Sequence, residues 1–204
     1  MKRILLTLGS LALVFALTVP AASAQTAAAP ATPEKPSTGP RAEFLRFMED
    51  AESKFIKLAE KTPAEKYTWR PGEGVRSAGE IFLHVAGGNY SIMRRVGTQA
   101  PADFKTQGYD TSTTDKAKII EALKASFEHV RKGALALSDA DLEKSAPWFG
   151  NRQATYREIL FYLANHQHEH LGQSIAYARM NGIVPPWTEE AQQRQQQAPP
   201  KKQP

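Results

Sequence analysis

Four stretches of this chain place apolar side chains at steps of three and four, and no stretch alternates convincingly at a step of two. Such a chain must bury helical stripes rather than sheet faces. In "RAEFLRFMEDAESKFIKLAEKT" the stripe is Phe44, Phe47, Met48, Ala51, Phe55, Leu58 and Ala59. After the turn-rich "PAEKYTWRPGEGVR", Ser77 and Glu80 stand at capping-box spacing, which predicts a second helix to about Val96 with an inward stripe of Ile81, His84, Val85, Gly88 and Ile92. The glycine pair at 87 and 88 weakens that helix and lets a neighbour approach closely. A long loop precedes a third helix from about Asp115, capped by Thr113 or Thr114, with the stripe Ile119, Ile120, Leu123, Phe127, Val130 and Leu137. The segment "SDADLEKSAPWFGNRQ" reads as a connection with one short helical turn. Thr155 and Glu158 then open a fourth helix that runs to Asn181, where Gly182, Pro185 and Pro186 stop it. The predicted fold is all-α: a four-helix bundle with long inter-helix connections and essentially no sheet.

The flanks differ in character. Met1, Lys2 and Arg3 lead into the apolar run "ILLTLGSLALVFALTV" and then "PAASA", a pattern that predicts an export signal over residues 1 to 24 cleaved after Ala24, with a retained N-terminal anchor as the alternative. The expected location is periplasmic or extracellular, with no stable membrane insertion once the signal is removed. Residues 25 to 40 and 188 to 204 are small, polar and rich in proline or glutamine, so both are expected to be disordered. Between them, Arg41 to Trp187 has the length of one domain with a single core. Loss of Lys2 and Arg3 with the signal lowers the formal charge from +5 to +3, and the remaining cations are interleaved with acids. Without a basic stripe or aromatic platform, a nucleic-acid partner is not expected. The absence of cysteine excludes disulfides, thiolate ligands, lipidation at cysteine and a catalytic cysteine. A homodimer is compatible with these features.

The fourth segment carries "HQHEH", with His166, His168 and His170 inside five positions. At about 100° per residue, His166 and His170 stack one turn apart on the stripe that also holds Ile159, Leu163 and Tyr177, whereas His168 points about 200° away, toward solvent. A lone inward histidine, such as His84, is ordinarily a core residue hydrogen-bonded to a neighbour. Two stacked inward imidazoles are different: unpartnered burial is costly, and protonation sets like charges side by side, so a shared divalent cation resolves both. An H-x-x-x-H pair joined by His84 from another helix makes a three-histidine set suited to zinc, nickel or iron, with positions left open for water or substrate. Two other metal patterns fail on the letters. A zincin needs Glu after the first histidine, where Gln167 stands, and a di-iron bundle needs Glu three residues before a histidine, which no Glu supplies. Glu169 lies near the edge of the inward face, where it reads either as a ligand-orienting or proton-shuttling group or as a solvated charge.

Two passages resemble the DinB-like (DinB/YfiT) family of metal-binding four-helix bundles. "WRPGEGVRSAGEIFLHVA" is similar to the family's approach to helix 2, and "HQHEHLGQSIAYARMNGIVPP" to its last helix and exit. The resemblance covers residues 41 to 187 and implies a divalent metal held by three histidines, which carry over to His84, His166 and His170. Gln173, Tyr177 and Arg179 also match the family pattern, in roles of packing, helix termination or substrate contact. Some relatives are thiol-dependent transferases or isomerases, and some look like metal-dependent hydrolases. The expectation is therefore an exported metal-dependent enzyme, of hydrolase or transferase type, acting on an unidentified small-molecule substrate through unassigned catalytic residues. The alternatives are a non-catalytic metal or ligand-binding bundle, and a structural bundle whose histidines are merely buried.

Overall fold

The computed structural model describes residues 35–197. The expected signal, residues 25–34 of the expected linker and residues 198–204 of the expected tail lie outside them. Helix α1 spans Gly39–Lys61, starting two residues before the predicted Arg41 because Pro40 occupies its first turn. Helix α2 (Ala78–Met93) begins at the predicted capping box: the Ser77 amide donates to Glu80 Oε2 at 2.8 Å, and the Glu80 amide donates to Ser77 Oγ at 3.3 Å. Helix α3 spans Lys116–Ala136 and is capped not by a threonine but by Asp115, whose carboxylate accepts from the Lys118 amide at 2.9 Å. Helix α4 (Tyr156–Met180) starts where expected, with Thr155 Oγ1 accepting from the Glu158 amide at 3.1 Å. Only half of that capping box forms, because the Glu158 carboxylate pairs with Arg152 instead.

In the connection before α4, a 3-10 turn at Ala140–Glu143 is followed by a two-stranded antiparallel hairpin, β1 (Ser145–Trp148) and β2 (Arg152–Thr155), where no sheet was expected. Its turn places Gly150 and Asn151 at positive φ. Beyond α4, the segment expected as a disordered tail is helical as far as Gln197, forming α5 (Pro186–Gln197). Trp187 packs on Leu58, Ala178 and Ile183, while Lys57–Glu190 and Lys61–Glu189 ion pairs of 3.1 and 3.0 Å tie α5 to α1.

Extensive packing joins α1 to α3 and α4, and α2 to the same two helices, so the order around the bundle is α1, α3, α2, α4. Helices α1 and α2, and likewise α3 and α4, thus lie diagonally opposite, whereas α2 and α3 are neighbours. Tyr67, in the connection from α1 to α2, is fully buried, and its hydroxyl donates to the Ala59 carbonyl at 2.8 Å. The core centres on Phe55, whose ring lies 6.4 Å from Phe82 and 6.1 Å from Phe127. Phe47, expected inward, is 56% exposed, and Leu45 is buried in its place. Helix α2 is buried on nearly every side, since the loop from Gly97 to Thr114 folds over the face its bundle partners leave open. Inside, the Gln167 amide donates to Asn89 Oδ1 and the Asn89 amide to Ser126 Oγ, both at 3.0 Å, binding α4, α2 and α3 through fully buried polar groups.

Candidate metal centre

Because α2 and α4 are neighbours around the bundle, His84 meets the stacked pair His166 and His170. One ring nitrogen from each lies within 4.8 Å of the other two. His84 Nε2 and His166 Nε2 are 3.3 Å apart, and the ring centroids stand 4.6 to 5.2 Å from one another. Close approach is permitted by Gly88, since a Cβ there would sit 2.6 Å from His166 Cε1. The adjacent Gly87 plays the same part for Tyr109, whose Cδ1 comes within 3.0 Å of the equivalent point. His168 stays apart, as its angle demands: it is exposed, its Nδ1 donates to the Ala164 carbonyl at 2.8 Å, and its ring meets Phe47 edge-on.

Two of the three ring Nδ1 atoms face an oxygen that accepts a hydrogen bond. His84 Nδ1–H donates to Asp110 Oδ2 at 3.1 Å, and His170 Nδ1–H donates to Gln173 Oε1 at 2.9 Å, so both direct an Nε2 lone pair into the cluster. Gln173 is itself steadied by its amide donating to the Tyr177 hydroxyl at 3.3 Å. Asp110 also accepts from Arg76 Nε at 2.8 Å. It is the functional residue the sequence reading missed, delivered from the long loop by the 3-10 turn Tyr109–Thr111. Arg179, in the last turn of α4, lines none of the cleft.

Burial, reinforced by the neighbouring His170 and His84, pushes His166 down to about 3. Burial also lowers His84, with Arg76 adding to the effect and Asp110 opposing it. The two rings therefore remain neutral at ordinary pH, the form in which imidazole is a ligand.

The donor set fits a divalent ion. Nitrogens bound about 2.0–2.1 Å from one tetrahedral ion stand about 3.3–3.4 Å apart, the separation seen between His84 and His166. Beside this set, Gln167 Nε2 lies 3.0 Å from Asn89 Oδ1 and 3.5 Å from His166 Nδ1.

The cluster opens into a cleft of about 460 Å³ whose lining includes Arg76, Tyr109, Asp110, Phe149, Tyr162 and Glu169. Trp148, Phe149 and Tyr162 form an aromatic wall with centroids 4.7 to 6.1 Å apart, and Tyr162 stacks within 6.5 Å of His166.

The sequence profile of the DinB superfamily matches residues 48–174. No protein of curated function matches the chain. Among solved structures, a DinB-like protein from Bacillus cereus is similar with a TM-score of 0.61 at 22% identity, over 70% of this chain and 93% of that one. A DinB-like protein from Bacillus subtilis gives 0.56 at 20% identity, over 70% and 93%. YfiT from Bacillus subtilis, described as a probable metal-dependent hydrolase with an unusual four-helix bundle topology, gives 0.55 at 16% identity, over 71% and 89%. At these identities the likeness is one of fold.

Proposed function

The chain belongs to the DinB superfamily, and on that premise we propose that it is an exported enzyme of hydrolase or transferase type that binds a divalent transition metal through His84, His166 and His170. The observation that carries this reading is the convergence of three imidazoles within 4.8 Å at the base of an open cleft. Zinc, nickel and iron all suit such a donor set. When bound, the ion supplies Lewis acidity and lowers the pKa of water toward about 7.

The remaining work falls to the chain. Asp110 and Gln173 hold His84 and His170 in the ligating tautomer, and the Asn89–Gln167 bond supports the helix that carries His166. Phe149 and Tyr162 give one side of the cleft an aromatic lining. Glu169, in the cleft lining beside His170, is the group we assign to take a proton from the incoming nucleophile at a carboxylate oxygen.

Elemental analysis of the mature protein tests the metal reading. The expected result is one ion per chain, lost in His84→Ala, His166→Ala and His170→Ala and kept in His168→Ala. Metal loss in the His168 variant equal to that in the others would overturn the assignment. A cobalt-substituted sample whose spectrum shifts on adding a thiol or azide supports an open position; an unresponsive spectrum argues against catalysis. Export is tested by intact mass, with a mature chain expected to begin at Gln25; a soluble product retaining Met1 refutes it.

A further inference from the structure

The face of α2 that carries His84 continues through Gly88 and Ser91, and the 3-10 turn Arg94–Val96 that follows the helix carries Arg95 beyond it. Ser91 therefore stands about 10 Å along the axis from His84, and Arg95 farther along. Beside that face the metal cleft runs on into a second hollow of about 560 Å³, and the two share Ser91, Ile92, Thr106 and Phe149 in their walls. The result is one trough with the histidines at one end and Arg94 and Arg95 at the other.

Three features of the trough point to its occupant. Arg94 and Arg95 have no carboxylate partner among the described residues. Each is instead steadied by a neutral oxygen: Arg94 donates to Thr106 Oγ1 at 3.2 Å and Arg95 to the Pro147 carbonyl at 3.4 Å. Arg76, at the histidine end, is by contrast already paired with Asp110. Midway, the buried Ser91 Oγ has no hydrogen-bond partner although it can both donate and accept. The walls between the ends are Trp148 and Phe149 from the hairpin, and Phe149 is 60% exposed.

We infer that the substrate is an elongated acidic molecule with an apolar or aromatic middle, whose carboxylate or phosphate is held by Arg94 and Arg95 while its reacting group lies at the histidines. The inference rests on the metal-centre reading for the identity of the reacting end. Unpaired charge sets the orientation: Arg76 at the histidine end is already paired with Asp110, whereas the far end offers two guanidinium groups without a carboxylate partner.

Titration of the full mature chain with 5-phenylpentanoate and with its neutral amide, 5-phenylpentanamide, tests this, first after dialysis against chelator and then after metal loading. Binding of the carboxylate about tenfold or more tighter than the amide is expected in both states, the worth of a charge-assisted hydrogen-bond pair. The Arg94→Gln/Arg95→Gln double variant should erase that preference, and Arg94→Lys/Arg95→Lys should retain most of it, with circular dichroism and metal content unchanged in both. A carboxylate preference seen only in the metal-loaded chain, or one that survives the glutamine pair, means the anion binds at the ion and overturns the inference. So does equal binding of acid and amide. One metal per chain without an arginine-dependent preference defeats this inference alone; an arginine-dependent preference in a chain that takes up no metal defeats the reading beneath it.

Discussion

Gly88→Ala separates the metal reading from a purely structural one. A methyl group at this position would lie 2.6 Å from His166 Cε1, and carbon atoms pack at about 3.5 Å or more, so the ring must retreat by about 0.9 Å. Cε1 is bonded to Nε2, and the retreat carries the ligating nitrogen with it. Metal–ligand distances tolerate only about 0.2 Å, so His166 leaves the set and affinity should fall at least tenfold, about 1.4 kcal/mol or more. The fold should survive: Ala gains up to about 1 kcal/mol over Gly inside a helix, against about 1–3 kcal/mol for overpacking that a movable side chain relieves. The assay is competition with a chromophoric chelator, read beside thermal unfolding of the metal-free protein. Gly87→Ala is the control, because its methyl meets the Tyr109 ring and no histidine. Wild-type metal affinity in Gly88→Ala, or an equal drop in Gly87→Ala, would refute the argument.

Asp110→Asn removes the carboxylate that orients His84 while leaving its shape, and should weaken metal binding about 10- to 100-fold with little change in melting temperature; unchanged affinity in the same competition assay excludes the orienting role. In the metal-free protein, folding holds His166 at about 3 against an ordinary 6.5, so between those values the unfolded chain binds more protons than the folded one. The stability contributed by the neutral ring is present above 6.5 and lost as pH falls toward 3, and urea midpoints should drop across that window. His166→Gln should flatten the slope, and an identical slope in that variant would count against the assignment.

How much could be read from the letters depended on whether a feature is local. The angle between His166, His168 and His170 is a property of one helix, and the Ser77–Glu80 capping box is complete within four residues, so both were legible. Asp110 was not: its bond to His84 spans 26 residues, and no periodicity encodes a loop returning to a helix. On α1 the 3–4 spacing located the stripe but not its centre. Relative to Phe44, Leu45 sits at about +100° and Phe47 at about −60°, and the bundle buries the former and exposes the latter. The hairpin hid because each strand has four residues and one holds Pro147, too little to establish alternation. Helix α5 hid because its composition is polar. What holds it is Trp187 and two ion pairs to residues at least 128 positions away.

That two of the histidines ride on α4 and the third on α2 turns the bundle into a calliper. The spacing of His166 and His170 belongs to a single rigid helix and cannot be adjusted, so the size of the site has one working variable, the gap between two helices. That gap is spanned inside the bundle by the Gln167–Asn89 bond, with Ser126 of α3 behind it. On the proposed metal reading, ion selectivity is thus open to change from within the core: a substitution at Asn89 or Ser126 that opens or closes the jaws would favour a larger or smaller cation without altering any of the three histidines.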